Sequence, residues 1–402
     1  MDKVAIIVQR CHQSVVGGSE TLAWQYATML KDSYEVDILT TTALDSDGWS
    51  NGLPEGPETI EDINVRRFHI DISQSRYGSE LLGRWLQNSD RSTNGSVRHL
   101  PWPISLQEEL IRQLGPYSDS LTQFLRTHWS DYKKIIVFTY LYPTAYFSLL
   151  EIPKGRALFV PTLHDEEIAY LSVYKHAARR AKMLIWLTNA ERQFGLRLWG
   201  ELPGRIVSPA IDTIARAPFR SSEPYVLYCG RIDAGKGCQE LVDYFMKFKE
   251  ENESPLRLIL TGSGPLAIPA HPNIEFRGVA SPEEKFSLMS GATIFITPSD
   301  KESFSIVTLE AMAQGTPVLV NGASQVLVDH INSSEAGLIY HDYESFSSNL
   351  QALLSNEVLR TQLGESGKRY VHSRYTYESV RQTLIEVIET GFGRNSSSGS
   401  KS

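Results

Sequence analysis

Glu302-Ser-Phe-Ser-Ile-Val-Thr-Leu-Glu310 lies between two short apolar runs, Ala292-Thr-Ile-Phe-Ile296 and Pro317-Val-Leu-Val320. The first run is apolar and β-branched and reads as a buried strand, which Thr297-Pro298-Ser299 breaks into a turn. From Ser305 the pattern turns helical: Ile306, Leu309 and Ala313 recur at helical spacing, Gly315 supplies a stop, and the second run is a new strand. The unit is strand, loop, helix, strand. Its loop carries one carboxylate, Glu302, and its helix carries another, Glu310, just over one turn in.

A helix N-terminus exposes unpaired N–H groups and the positive end of the helix dipole, so the backbone at Phe304, Ser305 and Ile306 is a candidate phosphate site. Two carboxylates flanking such a site suit a ligand with hydroxyls on both sides of a pyrophosphate, as in a nucleotide sugar. Taken alone, two glutamates at this spacing are more often solvated surface charges. The rest of the chain decides between the two.

The chain has 402 residues, enough for two domains with sizeable cores. Its hydrophobic content of 41% and charged content of 21% are those of an ordinary globular protein, and a net charge of −8 disfavours nucleic acid as a partner. Cys11, Cys229 and Cys238 have no metal-ligand spacing and read as reduced residues of a cytoplasmic protein. The opening Met-Asp-Lys-Val-Ala-Ile-Ile-Val reads as a first strand rather than a signal peptide, and no apolar run reaches membrane-spanning length.

That first strand leads through a loop to Gly17-Gly18-Ser19-Glu20 and a helical run, and glycines there let the backbone approach a ligand. Tyr34–Thr40 and Val65–Phe68 read as further strands, and 41–57 as a long irregular loop. Residues 69–114 read as helices and loops, with Trp85 and Trp102 as core aromatics. Ile135–Phe138 and Leu158–Val160 are strands, and the second runs into Pro161-Thr-Leu-His164-Asp165-Glu166-Glu167, a histidine just past a strand end. Lys175–Lys182 is a basic cluster, read as a solvated helix face with contact to anionic lipid headgroups as the sharper alternative.

A Pro- and Ser-rich stretch at 213–224 reads as a linker, after which the strand and helix pattern restarts. Tyr225–Cys229 is a strand, followed by Gly230-Arg231-Ile-Asp-Ala-Gly-Lys236-Gly237 and a helix. Arginine supplies a bidentate fork and lysine a mobile point charge, which together make an anion clamp in a glycine-rich turn. Leu256–Leu260 leads into Thr261-Gly262-Ser-Gly264, another glycine turn at a strand end, and Ile274–Val279 follows. Tyr375–Gly391 reads as a last amphipathic helix, and Asn395–Ser402 as a disordered tail.

These motifs resemble those of retaining glycosyltransferases of family 4, which have the GT-B fold. The resemblance is carried by Glu302, Glu310 and the following Ala-Met-Ala-Gln-Gly-Thr-Pro-Val, by Gly230-Arg231 with Lys236-Gly237, and more loosely by Gly17-Gly18 and His164. It implies an α/β architecture of two Rossmann-like, doubly wound parallel-sheet domains facing each other across a cleft. The expected domains are an acceptor-side domain at 1–212, a linker at 213–224, a nucleotide-sugar domain at 225–374, and a helix at 375–394 packing back on the first domain.

It implies that His164, Glu302, Arg231 and Lys236 are catalytic. Donor-binding groups are implied at Gly17, Gly18, Gly230, Gly262, Gly278, Val279, Phe304, Ser305, Ile306 and Glu310, with the base near Gly278 and Val279. The implied partners are a nucleotide diphosphate sugar and a glycan or lipid-linked acceptor, with no metal needed for the chemistry and a cytoplasmic location touching the membrane at most peripherally. A nucleotide-sugar epimerase, a phosphorylase, or a non-catalytic nucleotide-binding subunit are the alternatives of the same architecture. Two departures stand out: Ser305 where the family often has glycine, and Asn321-Gly-Ala-Ser-Gln325 where many members have Gly-Gly-x-Pro-Glu.

Overall fold

A computed structural model describes residues 1–12, 17–45, 48–87, 89–91, 97–99 and 102–392. The tail expected at 395–402, and the last two residues of the helix expected to end at 394, lie outside them. The chain divides into two units, Met1–Ser208 with the segment from Arg381 onward, and Pro209–Val380.

The first unit holds β1 (Lys3–Ile7), β2 (Glu35–Thr41), β3 (Gly56–Ile60), β4 (Ile63–Phe68), a two-stranded pair β5 (Ser89–Arg91) and β6 (Val97–His99), then β7 (Lys134–Phe138), β8 (Ala157–Val160), β9 (Met183–Trp186) and β10 (Gly204–Ile206). Eight of these form one sheet in the order β10-β9-β8-β7-β1-β2-β4-β3, in which only β3 runs antiparallel to its neighbour. β1 and β7 read as unbroken apolar runs because helices cover both faces of a parallel sheet and leave no side for solvent. β3 begins at the end of the stretch read as a loop, 41–57, and sequence reading assigns its remaining residues to no element: Gly-Pro-Glu-Thr-Ile has one buried residue, and the strand pairs with β4 along the sheet edge.

The helix Tyr377–Phe392 packs into this unit through Leu384, Val387 and Ile388, all buried. Lys134, at the start of β7 and 1% exposed, reaches it: its Nζ donates to Ile388 O at 3.3 Å and Glu389 Oε1 at 2.8 Å, while the Tyr34 hydroxyl donates to the same carboxylate.

The basic cluster is not one solvated helix face. Its helix, Ser172–Ala178, ends before Arg179, and the Arg180 guanidinium donates to Leu149 O, Leu150 O and Ile152 O at 2.7–3.0 Å, satisfying the carbonyl end of the helix Pro143–Glu151.

The second unit is a six-stranded, wholly parallel sheet. Its strands are β11 (Tyr225–Cys229), β12 (Arg257–Thr261), β13 (Ile274–Phe276), β14 (Ile294–Thr297), β15 (Val318–Asn321) and β16 (Gly337–Tyr340), in the order β13-β12-β11-β14-β15-β16. The stretch read as a linker lies along this unit. Gln314 Oε1 accepts from Arg216 N at 2.9 Å, Gln314 Nε2 donates to Ile214 O at 3.0 Å, and Ser290 Oγ donates to Arg216 O at 2.9 Å. Among the described residues no helix is long and apolar enough to cross a membrane.

Candidate functional site

In the second unit β11 and β14 are neighbours, and the chain travels outward from them in opposite directions, to β12 and β13 on one side and β15 and β16 on the other. The connections leaving their carboxyl ends therefore diverge, and that switch point is where parallel sheets bind ligands. Glu302 and the turn before the helix Ile306–Ala313 follow β14, and Arg231 and Lys236 follow β11.

Two glycines allow these loops to touch. A Cβ on Gly262, at φ +143, would stand 1.7 Å from Gly230 O, and one on Gly237, at φ +73, would stand 2.4 Å from Pro298 O. Any side chain at either place would drive the loops apart.

The charges then converge. Asp233 Oδ1 accepts from Lys236 N at 2.8 Å, the other Asp233 oxygen pairs with Arg231 Nε, and Lys236 Nζ reaches Glu302 Oε1 at 2.8 Å. Arg231 remains 64% exposed while Glu302 is 13% exposed, so the fork is presented to solvent above a half-buried ion pair. Ser305 precedes the helix in a left-handed conformation, φ 64 and ψ 66. Its hydroxyl is bonded to Thr308 Oγ1 at 2.8 Å, which meets Thr297 Oγ1 at 2.7 Å. A serine is strained in that conformation, which glycine adopts freely.

Phe304 points into the core against His330 and Tyr375, and its carbonyl accepts from His330 Nε2 at 3.0 Å. Glu310 is not a solvated surface charge. It is 8% exposed, and both its oxygens accept from Lys285 Nζ, at 2.7 and 2.8 Å. Burial raises its carboxyl above the usual range and Lys285 pulls it back. The Gly278 carbonyl is committed within the protein, accepting from Gly262 N at 2.7 Å and Thr261 Oγ1 at 2.8 Å, whereas the neighbouring Val279 is 68% exposed.

In the first unit the corresponding switch point lies between β1 and β7. Gly17 precedes the helix Gly18–Leu30, and a Cβ there would come 2.3 Å from Glu20 Oε2, whereas Gly18 faces open space. Glu20 itself turns inward, 8% exposed, to Arg10 Nε at 2.5 Å. His164 follows β8 and is half-buried, its Nε2 lying 3.3 Å from Glu166 Oε1, which also accepts from the Tyr140 hydroxyl. Asp165 accepts instead from the Tyr170 hydroxyl at 3.0 Å.

The backbone leading to His164 is fixed by Glu191. Its Oε1 accepts from Leu163 N at 2.6 Å and its Oε2 from Leu187 N at 2.5 Å, tying the ends of β8 and β9 together. Residues Thr139 and Thr162, just past β7 and β8, both hold left-handed backbones, φ 66 and φ 52. Such conformations cost energy and gather where loops are shaped for binding. Among the described residues no three His, Cys, Asp or Glu side chains are grouped as a metal site.

Sequence reading did not single out Asp233, Glu191, Lys285 or His330. The first two have local signals, an Asp three residues before a backbone N–H it caps and a Thr188-x-x-Glu191 spacing in which Thr188 Oγ1 accepts from Glu191 N. Lys285 and His330 meet partners 25 and 26 residues away, and nothing local announces them.

The two doubly wound parallel-sheet units have the GT-B fold. Residues 211–370 match the family model for glycosyl transferases group 1. The chain is 23% identical over 175 residues to a capsular polysaccharide biosynthesis glycosyltransferase, CapM, of Staphylococcus aureus, covering 40% of this chain and 45% of CapM. It spans less than half the length of the first curated relatives it matches. Its fold is similar to that of sucrose-phosphate synthase from Thermosynechococcus elongatus, at a TM-score of 0.71 and 17% identity over 98% of this chain and 99% of the other. It is also similar to that of Anabaena HepE, solved in complex with UDP and glucose, at a TM-score of 0.69 and 14% identity over 97% and 100%.

Proposed function

We propose that this chain is a retaining glycosyltransferase that moves a hexose from a nucleotide diphosphate sugar to a hydroxyl of a glycan or lipid-linked saccharide in polysaccharide biosynthesis. UDP-glucose is the first donor to test. The observation that carries the reading is the convergence of Arg231, Lys236, Glu302 and the N-terminus of helix Ile306–Ala313 at one switch point.

In this reading Arg231, Lys236 and the backbone N–H groups at Ser305 and Ile306 stabilise the charge that grows on the leaving diphosphate. Lys236 exchanges Glu302 for phosphate oxygens as the donor enters, which releases the Glu302 carboxylate to accept from sugar hydroxyls. Glu310, oriented by Lys285, faces the ribose. The bond from the anomeric carbon to the diphosphate oxygen breaks, the bond to the acceptor oxygen forms on the same face, and the acceptor's proton passes to the departing phosphate. His164 is the first-unit residue assigned to the reacting centre. No metal is required for these steps, and the enzyme works in the cytoplasm with at most peripheral membrane contact.

The test is binding and slow hydrolysis across UDP-, GDP- and ADP-sugars, with Lys236→Ala and Glu302→Ala alongside. One donor is expected to be bound and consumed by the wild type, with turnover falling about 100-fold or more in each variant. Binding of no nucleotide sugar, or variants that behave like the wild type, would sink the reading. Conversion of the donor to its epimer would mark an epimerase. Donor binding without turnover, unmoved by His164→Ala, would mark a non-catalytic subunit.

A further inference from the structure

A trans peptide sets its C=O and N–H in opposite directions. The Phe304–Ser305 peptide has its carbonyl turned inward, onto the buried Nε2 of His330 at 3.0 Å. The Ser305 N–H at its other edge therefore points outward, past the first turn of the helix Ile306–Ala313. Neither that N–H nor that of Ile306 meets an acceptor among the described residues. A carbonyl only accepts, so Nε2 carries the ring proton. Burial lowers His330 to about 4, which keeps the ring neutral and leaves Nδ1 an acceptor. The Tyr370 hydroxyl supplies the donor at 3.1 Å, and Tyr375 stands behind it at 3.0 Å.

We infer that His330 is a positioning residue for the anion site: by holding the Phe304 carbonyl in the core it turns the Ser305 N–H toward the diphosphate of the donor. The strain at Ser305 gives the bond its purpose. At φ 64 a serine gains by rotating back to negative φ, and rotation of this peptide would carry the N–H away from the site. His330 and the Thr308–Ser305 hydroxyl pair oppose that rotation from two sides. A leucine or phenylalanine would fill the same volume at a lower desolvation cost but would release the carbonyl. The identity of the anion rests on the nucleotide-sugar reading; the orientation of the peptide does not.

The experiment uses the full chain and three proteins: wild type, His330→Leu and His330→Gln, whose amide can still donate to the carbonyl. UDP and inorganic pyrophosphate binding are measured by calorimetry, with a melting curve for each protein. His330→Leu is expected to weaken both ligands at least tenfold, and His330→Gln to recover most of that loss at a comparable melting temperature. The 15N shifts of the ligand-free wild type should place the His330 proton on Nε2, a readout that stands even if the leucine variant does not fold. Unchanged affinity in His330→Leu, equal loss in folded His330→Gln, or a proton on Nδ1 would each overturn the inference. A wild type that binds pyrophosphate but none of UDP, GDP or ADP would remove the nucleotide-sugar reading and leave the positioning role to be judged on pyrophosphate alone.

Discussion

Ser305 combines a strained backbone with a useful hydroxyl, and the two effects can be separated. Replacement by glycine or by alanine loses the bond to Thr308 alike, but only alanine keeps a Cβ in the left-handed conformation. The Ser305→Gly protein is expected to be more stable than Ser305→Ala by about 1 kcal/mol, relief of strain outweighing the extra freedom of an unfolded glycine. Chemical denaturation of the two variants checks this, and equal midpoints would mean that Ser305 carries no strain. At this scale the sequence was informative where residue type and loop position suffice, since Glu302, Lys236 and Arg231 all lie in loops that follow two neighbouring strands. It was silent where function depends on what a residue meets across the fold. Glu310 reads the same on paper whether solvated or, as here, buried on Lys285.

Elements were legible when their own composition forms them. β11, β12, β14 and β15 are nearly continuous apolar runs because both faces of a parallel sheet are covered, and each lies within a residue or two of where its pattern places it. β3 was not legible, since an edge strand with exposed side chains is made by its neighbour. The basic cluster misled because charge alone does not say that Arg180 is turned onto carbonyls of another helix. Glu191 belongs to this scale, since one side chain joins the ends of β8 and β9 and fixes the turn that carries His164. Its two oxygens each accept a backbone N–H, so an amide in its place presents a donor to one of them. Glu191→Gln is expected to cost about 2–3 kcal/mol, from a buried N–H left unsatisfied. Under the proposed function it should also lower turnover more than donor affinity, because the candidate anion clamp lies in the other unit. Calorimetric melting and donor titration read the two effects, and a variant as stable as the wild type would discount the clamp.

For the whole molecule the decisive feature is that the chain returns. The helix from Tyr377 supplies Leu384, Val387 and Ile388 to the core of the first unit, and it supplies the acceptors that satisfy the buried Lys134 ammonium. A chain ended at Val380 loses that apolar surface and leaves Lys134 buried without those partners, a loss of several kcal/mol. Hydrogen exchange on residues 1–380 should show protection falling along β1, β2 and β7 while β11 to β16 keep theirs. Uniform loss across both sheets, or none, would contradict the assignment. The same truncated chain resembles the protein partway through its own synthesis. The second unit is one uninterrupted run, 209–380, whereas the first is completed only by residues made after it. Translation therefore completes the residues of the later-encoded unit first, and Lys134 lacks its acceptors at Ile388 and Glu389 until the helix Tyr377–Phe392 has been made.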